Sequence, residues 1–393
     1  MDPRQNPYAP GAGAPPPELA GRDALIEEAS IALDRIRSGL HAKSLMLLGL
    51  RGVGKTVLLN RLHNDAQAKG LATVLLEAPE QRSLPALLAP HLRAVLLRLD
   101  RLAQGAELAK RALRALGGFI QAAKLKYQDI EFGLDLGIEP GVADTGDLGA
   151  DLTSLFQVVG EAARDSKTAV VLFIDELQYV AEAELQALIS ALHRCAQLQL
   201  PVTLIGAGLP QLPGQLGNAK SYAERLFEFR SIGKLADPAA QLALTEPARR
   251  FMVEFSPAAL QAILQATECY PYFLQEWGKH TWNCARSSPV NREDVLAANA
   301  IAIADLDASF FQVRLDRLTP AERRYLRAMA ELGPGPHRSG DIAQTLGKAV
   351  EIVAPVRANL IRKGMIYSPA HGDTAFTVPL FDAYLRRVMS TWP

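Results

Sequence analysis

The chain has 393 residues, more than one hydrophobic core usually contains, so two or three domains are expected. Its 42 basic and 42 acidic residues balance, which excludes the classes of protein that bind polyanions or membrane surfaces through a strong overall charge. Its three cysteines lie far apart in the sequence and show no metal-ligand spacing, which argues against a disulfide framework or a zinc site.

The N-terminal segment, residues 1–17, is rich in proline, glycine and alanine. This composition predicts a flexible tail. The segment lacks the apolar core of a signal peptide, and no apolar run in the chain approaches the roughly 18 residues of a membrane span. We therefore expect a cytoplasmic protein that has no membrane partner.

The next part of the chain has the pattern of a strand–loop–helix–strand unit. Apolar residues at helical spacing in GRDALIEEASIALDRIRSGL predict a first helix, which stops at Gly39. The apolar run SLMLLGL is typical of a buried parallel strand. KTVLLNRLHNDAQAKG predicts a helix that ends at Gly70, and LATVLLEA predicts the following strand.

Strands and helices continue to alternate up to about residue 244. Residues 82–125 have a helical composition, and the alternating residues 127–136 predict a strand or hairpin. A helix in DLTSLFQVVGEAARDSK, the strand TAVVLFIDEL, a helix at 181–198 and the strand PVTLIGAG follow. The predicted fold class is therefore α/β, with a parallel sheet flanked by helices over residues 18–244.

Beyond residue 244 the pattern predicts two further units. Residues 245–315 read as an all-helical unit, in which Ser256 is the expected cap of one helix and Asn291 with Asp294 the capping box of another. Residues 316–393 begin with Thr319 and Glu322 as a second capping box. Ser339 is the expected cap of a short helix, a third helix ends at Gly364, and two strands surround residues 371–373.

The strand SLMLLGL leads into a phosphate-loop motif, G-x-x-x-x-G-K-[ST], at residues 49–56. Its glycines let backbone N–H groups converge on phosphate oxygens, and the helix that follows points its positive dipole end at them. The lysine offers a charge to the β- and γ-phosphates, and the threonine hydroxyl can bind Mg²⁺. The expected nucleotide-binding residues are Gly49, Leu50, Arg51, Gly52, Val53, Gly54, Lys55, Thr56 and Val57.

A second motif supplies the acidic groups that such a loop requires. Asp175 stands where the apolar strand VVLFI ends, the place from which a carboxylate can organise the metal. Glu176 follows it and can act as general base on the attacking water. The two motifs together predict ATP and Mg²⁺ as cofactors, with Thr56 and Asp175 at the metal and Lys55, Asp175 and Glu176 as catalytic residues.

The phosphate loop, FIDELQ, LPVTLIGAGLPQL and the helical region resemble the AAA+ ATPases and the related STAND-type and archaeal-type ATPases. The resemblance implies an ATPase domain at 18–244, a helical lid at 245–315 and a winged-helix domain at 316–393, as in origin-recognition initiators. It further implies that Gly21 and Arg22 lie near the adenine and that Pro271 packs on the base. In SYAERLFEF it implies that Arg225, with Arg230 as the second candidate, acts on the nucleotide of a neighbouring copy in a homo-oligomer.

The chain departs from this family pattern at two places. The strand TLIGAG ends in Gly206, Ala207 and Gly208, where the family presents a polar sensor residue. The lid offers no clear arginine at the second-sensor position, and Lys279 is only a weak substitute. These departures favour a slow nucleotide switch over a fast motor.

The C-terminal unit leaves its partner open between duplex DNA and protein. Residues 319–393 contain ten Lys/Arg against six Asp/Glu, and the candidate phosphate contacts are Arg338, Lys348, Arg357, Arg362, Lys363 and His371. The third helix offers no Arg, Asn or Gln on the face that would read bases, and Pro355 lies within it. Three functions stay open: a switch that contacts DNA, a replication- or transposition-associated DNA-loading factor, and a signalling or scaffold ATPase.

Overall fold

The computed structural model describes residues 1–11, 13–78, 83–101, 106–123 and 137–390. The strand or hairpin predicted at 127–136 lies outside these ranges. Among the helices of this described portion, none is both long enough and apolar enough to cross a bilayer.

The centre of the first unit is a five-stranded sheet in which every strand pair is parallel. In chain order its strands are β1 (Ser44–Leu48), β2 (Ala72–Glu77), β3 (Val170–Asp175), β4 (Val202–Gly208) and β5 (Phe227–Ser231). Their spatial order is β2-β3-β4-β1-β5. The central strands β1, β3 and β4 are buried along their whole length, as the apolar runs predicted.

Helices cover both faces of this sheet and form a separate hydrophobic core with each face. This arrangement confirms the predicted α/β fold class. The helices are α1 (Asp23–Arg37), α2 (Lys55–Ala68), α3 (Leu84–Asp100), α4 (Ala106–Ala122), α5 (Leu148–Asp165), α6 (Glu182–Gln197), α7 (Leu212–Ala219) and α8 (Ala223–Leu226).

Strand β5 was not predicted by the sequence. The segment SYAERLFEF forms the short helix α8 and then this edge strand, in which Phe227 is buried and the following Glu228, Phe229 and Arg230 are partly exposed. A half-exposed edge strand has only one neighbour to pack against, so its sequence lacks the continuous apolar run that marked the central strands.

The second unit is helical, as predicted, and consists of α9 (Asp237–Arg249), α10 (Pro257–Thr267), α11 (Pro271–Cys284) and α12 (Arg292–Asp305). Ser256 caps α10 by accepting from the Ala259 backbone N–H at 3.2 Å. Asn291 and Asp294 form the predicted capping box of α12. A π-helical turn, Leu306–Phe311, and the short helix α13 (Gln312–Asp316) connect α12 to the third unit.

The C-terminal unit packs helices around a small sheet of order β6-β8-β7, whose strand pairs are antiparallel. Its elements are α14 (Pro320–Glu331), β6 (His337–Arg338), α15 (Ser339–Thr345), α16 (Val350–Arg362), β7 (Ile366–Tyr367), β8 (Asp373–Phe376) and α17 (Phe381–Val388). Thr319 and Glu322 form the predicted capping box of α14, and α16 runs through Pro355 without a break.

The assignment of Ser339 as a helix cap is wrong. Arg338 occupies the N-cap position of α15, and Ser339 is the first helical residue. The Ser339 hydroxyl instead donates to the Gly372 carbonyl oxygen at 2.9 Å, which joins the start of α15 to the turn before β8. A tertiary hydrogen bond has therefore replaced the local one that the sequence pattern predicted.

The N-terminal segment, predicted as a flexible tail, instead lies against the helical unit. Tyr8 is 4% exposed, and its hydroxyl donates to the Leu244 carbonyl oxygen. The Asn6 side chain donates to the Lys279 carbonyl oxygen at 2.9 Å. At Gly278 a Cβ would lie 2.6 Å from the Tyr8 ring, so this glycine makes room for it. The composition of this segment did not predict that Tyr8 is buried, because its partners lie on distant helices.

Candidate active site

The phosphate-loop motif connects the end of β1 to the start of α2. Gly52 and Gly54 adopt positive φ angles of 85° and 91°, which side chains rarely tolerate, so the loop requires glycine at both positions. Gly54 is also the N-cap of α2, which leaves the first N–H groups of that helix directed into the loop. The Lys55 ammonium group lies in the loop and donates to the Leu50 carbonyl oxygen at 3.0 Å.

Lys55 is buried, with 5% of its surface exposed. This burial lowers the pKa of Lys55, while the nearby carboxylates of Glu176 and Asp175 raise it in opposition. In the part of the chain that the structure describes, this ammonium group makes one hydrogen bond, to a backbone carbonyl oxygen, so it retains donors for an anion.

The acidic motif ends β3 at the same edge of the sheet as the phosphate loop. Asp175 is 5% exposed, and its Oδ2 accepts from the Thr56 hydroxyl at 2.5 Å. Burial raises the pKa of Asp175, and the hydrogen bond from Thr56 opposes this change. The pKa of Glu77, at the end of the neighbouring strand, is raised by burial and by the charges of Asp175 and Glu176. Negative charge is therefore concentrated where a divalent cation would be favourable.

Glu176 leaves the strand in a left-handed conformation, with φ 53° and ψ 36°. The Gln178 side-chain amide donates to the Glu176 carboxylate, and its Oε1 accepts from the Leu209 backbone N–H at 3.1 Å. Gln178 thus connects the candidate base to the residue that follows β4, an arrangement that the sequence did not predict.

The end of β4 has no space for a polar sensor side chain. A Cβ at Gly206 would lie 2.3 Å from Leu177 Cδ1, and a Cβ at Gly208 would lie 2.9 Å from Gln178 Oε1. The glycines noted in the sequence are therefore required by packing around the acidic motif. The amide of Gln178 occupies the volume next to Gly208.

A cavity of about 530 Å³ lies beside the phosphate loop, a size that suits a small-molecule ligand. Its walls include residues 9–11, 13, 14 and 16 of the N-terminal segment, residues 18–20 and 22, and the phosphate loop. Leu235, Ala243, α11 and the connector before α14 also contribute. Glu77 and Glu176 line the acidic side. The N-terminal segment also approaches Thr56, since a Cβ at Gly13 would lie 3.5 Å from Thr56 Cγ2.

The structure places Arg22 and Pro271 in the wall of this cavity. Arg22 donates to the Gly233 carbonyl oxygen at 2.7 Å and to the Val53 carbonyl oxygen at 3.4 Å, and burial lowers its pKa. Gly21 lies just outside the cavity, where a Cβ would be 2.8 Å from the Ala239 methyl group. Gly21 therefore serves the packing of α9, and Arg22 supports the backbone of the loop.

Arg314, on α13, is a cavity residue that sequence reasoning missed. Its guanidinium group lies 3.8 Å from the centre of the Phe310 ring, and its Nη1 donates to the Phe310 carbonyl oxygen at 2.6 Å. Burial and the neighbouring charge of Arg51 lower the pKa of Arg314 to about 10. Among the described residues its Nε has no hydrogen-bond partner. A partly buried cation without a carboxylate partner indicates a place for an anion.

The phosphate loop is held by all three units. From the helical unit, the Tyr272 backbone N–H donates to the Gly52 carbonyl oxygen at 3.2 Å, and the Tyr270 hydroxyl donates to the Arg51 carbonyl oxygen. From the C-terminal unit, the Thr377 carbonyl oxygen accepts from the Arg51 backbone N–H at 3.1 Å. The loop is therefore in direct contact with both other units.

The two candidate trans-acting arginines lie at different places. Arg225 is exposed on α8. Arg230 is on the edge strand β5 and forms ion pairs with Glu28 and Glu228, each at 2.7 Å. Of the two, Arg225 is therefore the one that is available to a neighbouring copy.

Comparisons with known proteins agree with this geometry. The family model described as "AAA ATPase domain" matches residues 18–205, and "Domain of unknown function (DUF8462)" matches residues 308–385. No curated protein matches the chain.

Three solved structures show how far the likeness extends. A Walker-type ATPase of Pyrococcus abyssi matches at 15% identity and a TM-score of 0.59, with 94% of this chain and 96% of that chain covered. The Holliday junction branch migration motor RuvB of Thermotoga maritima matches at 17% identity and a TM-score of 0.44, with 95% and 96% covered. The ORC1 protein of Aeropyrum pernix, in complex with DNA, matches at 16% identity and a TM-score of 0.46, with 94% of this chain and 93% of that chain covered. At such identities the first match concerns the fold alone, and the other two, with TM-scores below 0.5, carry no argument. The family match over residues 18–205, together with the phosphate-loop fold of this part of the chain, indicates a P-loop ATPase domain of the AAA+ class.

Proposed function

We propose that the chain binds ATP with Mg²⁺, hydrolyses it slowly and changes the posture of its lid and C-terminal unit with nucleotide state. The observation that carries this proposal is the convergence of Lys55, Thr56 and Glu176 in the wall of one cavity, with Asp175 hydrogen-bonded to Thr56 behind it. The walls of this cavity also include α11 and the connector. The proposed units are a nucleotide-binding domain at 18–244, a lid at 245–315 and a winged-helix domain at 316–393, preceded by the segment 1–17.

Each proposed role follows from the chemistry of its side chain. Lys55 and the N–H groups at the start of α2 bind the β- and γ-phosphates. Thr56 and Asp175 are hard oxygen donors 2.5 Å apart, a donor set that suits Mg²⁺, which would neutralise charge on the transferred phosphoryl group. Once the Glu176 carboxylate has released its hydrogen bond from Gln178, it takes a proton from the attacking water. Turnover is slow because the end of β4 carries no polar side chain toward this water.

Arg314 supplies the proposed connection between nucleotide state and the C-terminal unit. The described residues provide no hydrogen-bond acceptor for the Arg314 Nε, and a γ-phosphate in the cavity would provide one. The segment that carries Arg314 leads directly into α14, so a movement toward the phosphate would be transmitted to the third unit. Arg314 would thus take the place of the second-sensor arginine that the lid sequence lacks.

The variant Arg314→Gln is expected to weaken ATP binding about tenfold to a hundredfold and to leave ADP binding within about threefold, because a charge-assisted contact to the γ-phosphate is lost. The measurement is a pair of equilibrium titrations with ATP and ADP in Mg²⁺. Arg317→Gln, an exposed arginine three residues on, is the matched control and is expected to change neither affinity. Equal losses for ATP and ADP would contradict the proposed role.

DNA contact by the C-terminal unit is a second proposal. Arg338, Lys348 and Arg362 are exposed and form no ion pair within the described ranges, whereas Arg357 and Lys363 are held internally by Thr374 and Glu322. The exposed residues on α16 include Val350 and Ile352, so sequence-specific base contacts are not expected.

We expect a weak mobility shift of duplex DNA at about 50 mM salt that disappears by about 200 mM and is lost in the variant with Arg338→Gln, Lys348→Gln and Arg362→Gln. Solution mass, measured with and without ATP and DNA, separates the alternatives. ATP-dependent self-association without DNA would favour the scaffold function. In that case Arg225→Ala should lower turnover only in the assembled form. Absence of any shift at low salt would remove the DNA proposal.

A further inference from the structure

Gln275, on α11, carries a buried polar atom without a partner. Its side chain is 7% exposed, and its Oε1 has no hydrogen-bond partner among the described residues. The residue lines the same cavity as the phosphate loop and follows Pro271 by one helical turn, so the two share a face of α11. Buried amide oxygens are normally paired, so one that lines a cavity points to a ligand group.

Gln275 lines the cavity together with side chains that suit the base of a nucleotide. Lys55 and the loop fix the phosphate end of the cavity. The walls also contain a set of apolar and small side chains that suits the flat faces of a base: Leu19, Leu235, Ala243 and Pro271. An amide on such a wall has the edge of the base, rather than its face, as its natural partner.

We infer that Gln275 is the residue by which this cavity selects adenine, an inference that rests on the proposed ATP site. A glutamine amide offers one acceptor and one donor side by side. These match the 6-amino group of adenine, which donates to Oε1, and the adjacent ring nitrogen, which accepts from Nε2. Guanine presents two acceptors, N7 and O6, along the corresponding edge, so the amide satisfies only one of them.

The 6-amino group and the Gln275 amide should therefore contribute to affinity only as a pair. We expect the unmodified chain to bind ATP about fivefold to tenfold more tightly than purine riboside triphosphate, which lacks the 6-amino group. Gln275→Met, of similar shape and without polar atoms, should lower the affinity for ATP by a larger factor than the affinity for the analogue, because the analogue keeps the ring nitrogen but has no 6-amino group to lose. GTP should bind the unmodified chain more weakly than ATP does.

The cycle of four affinities, measured by equilibrium titration in Mg²⁺, decides the matter. Retained, saturable binding of the analogue shows that the variant is folded, and Gln261→Met, an exposed glutamine on α10, is the control for substitution within the lid. Equal losses for ATP and the analogue in Gln275→Met, or no loss for either, would overturn the inference while the ATP site stands. Failure of the unmodified chain to bind any of the three triphosphates would instead contradict the proposed function.

Discussion

Replacing Lys55 by alanine is expected to lower ATP affinity by about a hundredfold or more, because the buried ammonium group is the charge that the loop offers to the β- and γ-phosphates. The substitution should leave the fold intact. Burial of this charge is unfavourable in itself, as the lowered pKa of Lys55 indicates. Removing the charge should therefore not lower the free energy of unfolding through lost burial. Direct titration of the variant with ATP in Mg²⁺ measures the loss.

Lys110→Ala is the matched control, since Lys110 lies on α4 with half of its side chain exposed and is not in the cavity wall. Its ATP affinity and thermal midpoint should equal those of the unmodified chain. If Lys55→Ala bound ATP as tightly as this control, the phosphates would not lie in the loop, and the assignment of the cavity would fail.

Replacing Glu176 by glutamine is expected to have the largest effect on turnover. Loss of a positioned general base typically lowers the rate by about a hundredfold to ten-thousandfold. ATP affinity should stay within about threefold, because within the described ranges the Glu176 carboxylate is hydrogen-bonded to Gln178 and not to the phosphate loop, and only its backbone N–H, which the substitution keeps, donates to Asp175. Single-turnover hydrolysis and equilibrium binding on the same preparation measure the two quantities separately.

Glu182→Gln provides the comparison, because Glu182 is an exposed carboxylate a few residues further along, at the start of α6. Turnover in this control should be unchanged. A Glu176→Gln variant that hydrolysed ATP at the rate of the unmodified chain would show that another group activates the water.

The sequence predicted the elements whose chemistry is local. The phosphate loop needs glycines at fixed positions in a short turn, and the acidic motif needs an apolar strand that ends in carboxylates, so both appear as short patterns. The parallel sheet followed from continuous apolar runs that alternate with amphipathic helices. The capping boxes at Asn291 and Thr319 were predictable for the same reason, since every partner lies within three residues.

The features that the sequence concealed depend on contacts between distant segments. Arg314 and Gln275 reach the cavity only because the lid and the connector fold back over the phosphate loop. Tyr8 lies in a stretch whose composition predicts disorder, yet the absence of a side chain at Gly278 creates its binding surface on the lid. Gln178 connects Glu176 to the residue after β4 through two hydrogen bonds, a connection that spacing alone does not identify.

The most direct test of the central claim is calorimetric titration of the unmodified full chain with ATP, in Mg²⁺ and then with the metal chelated. The geometry of Lys55, Thr56 and Asp175 predicts saturable binding of one ATP per chain, at least about tenfold tighter when Mg²⁺ is present. Absence of saturable binding up to about 1 mM ATP, by a chain shown to be folded, would contradict it.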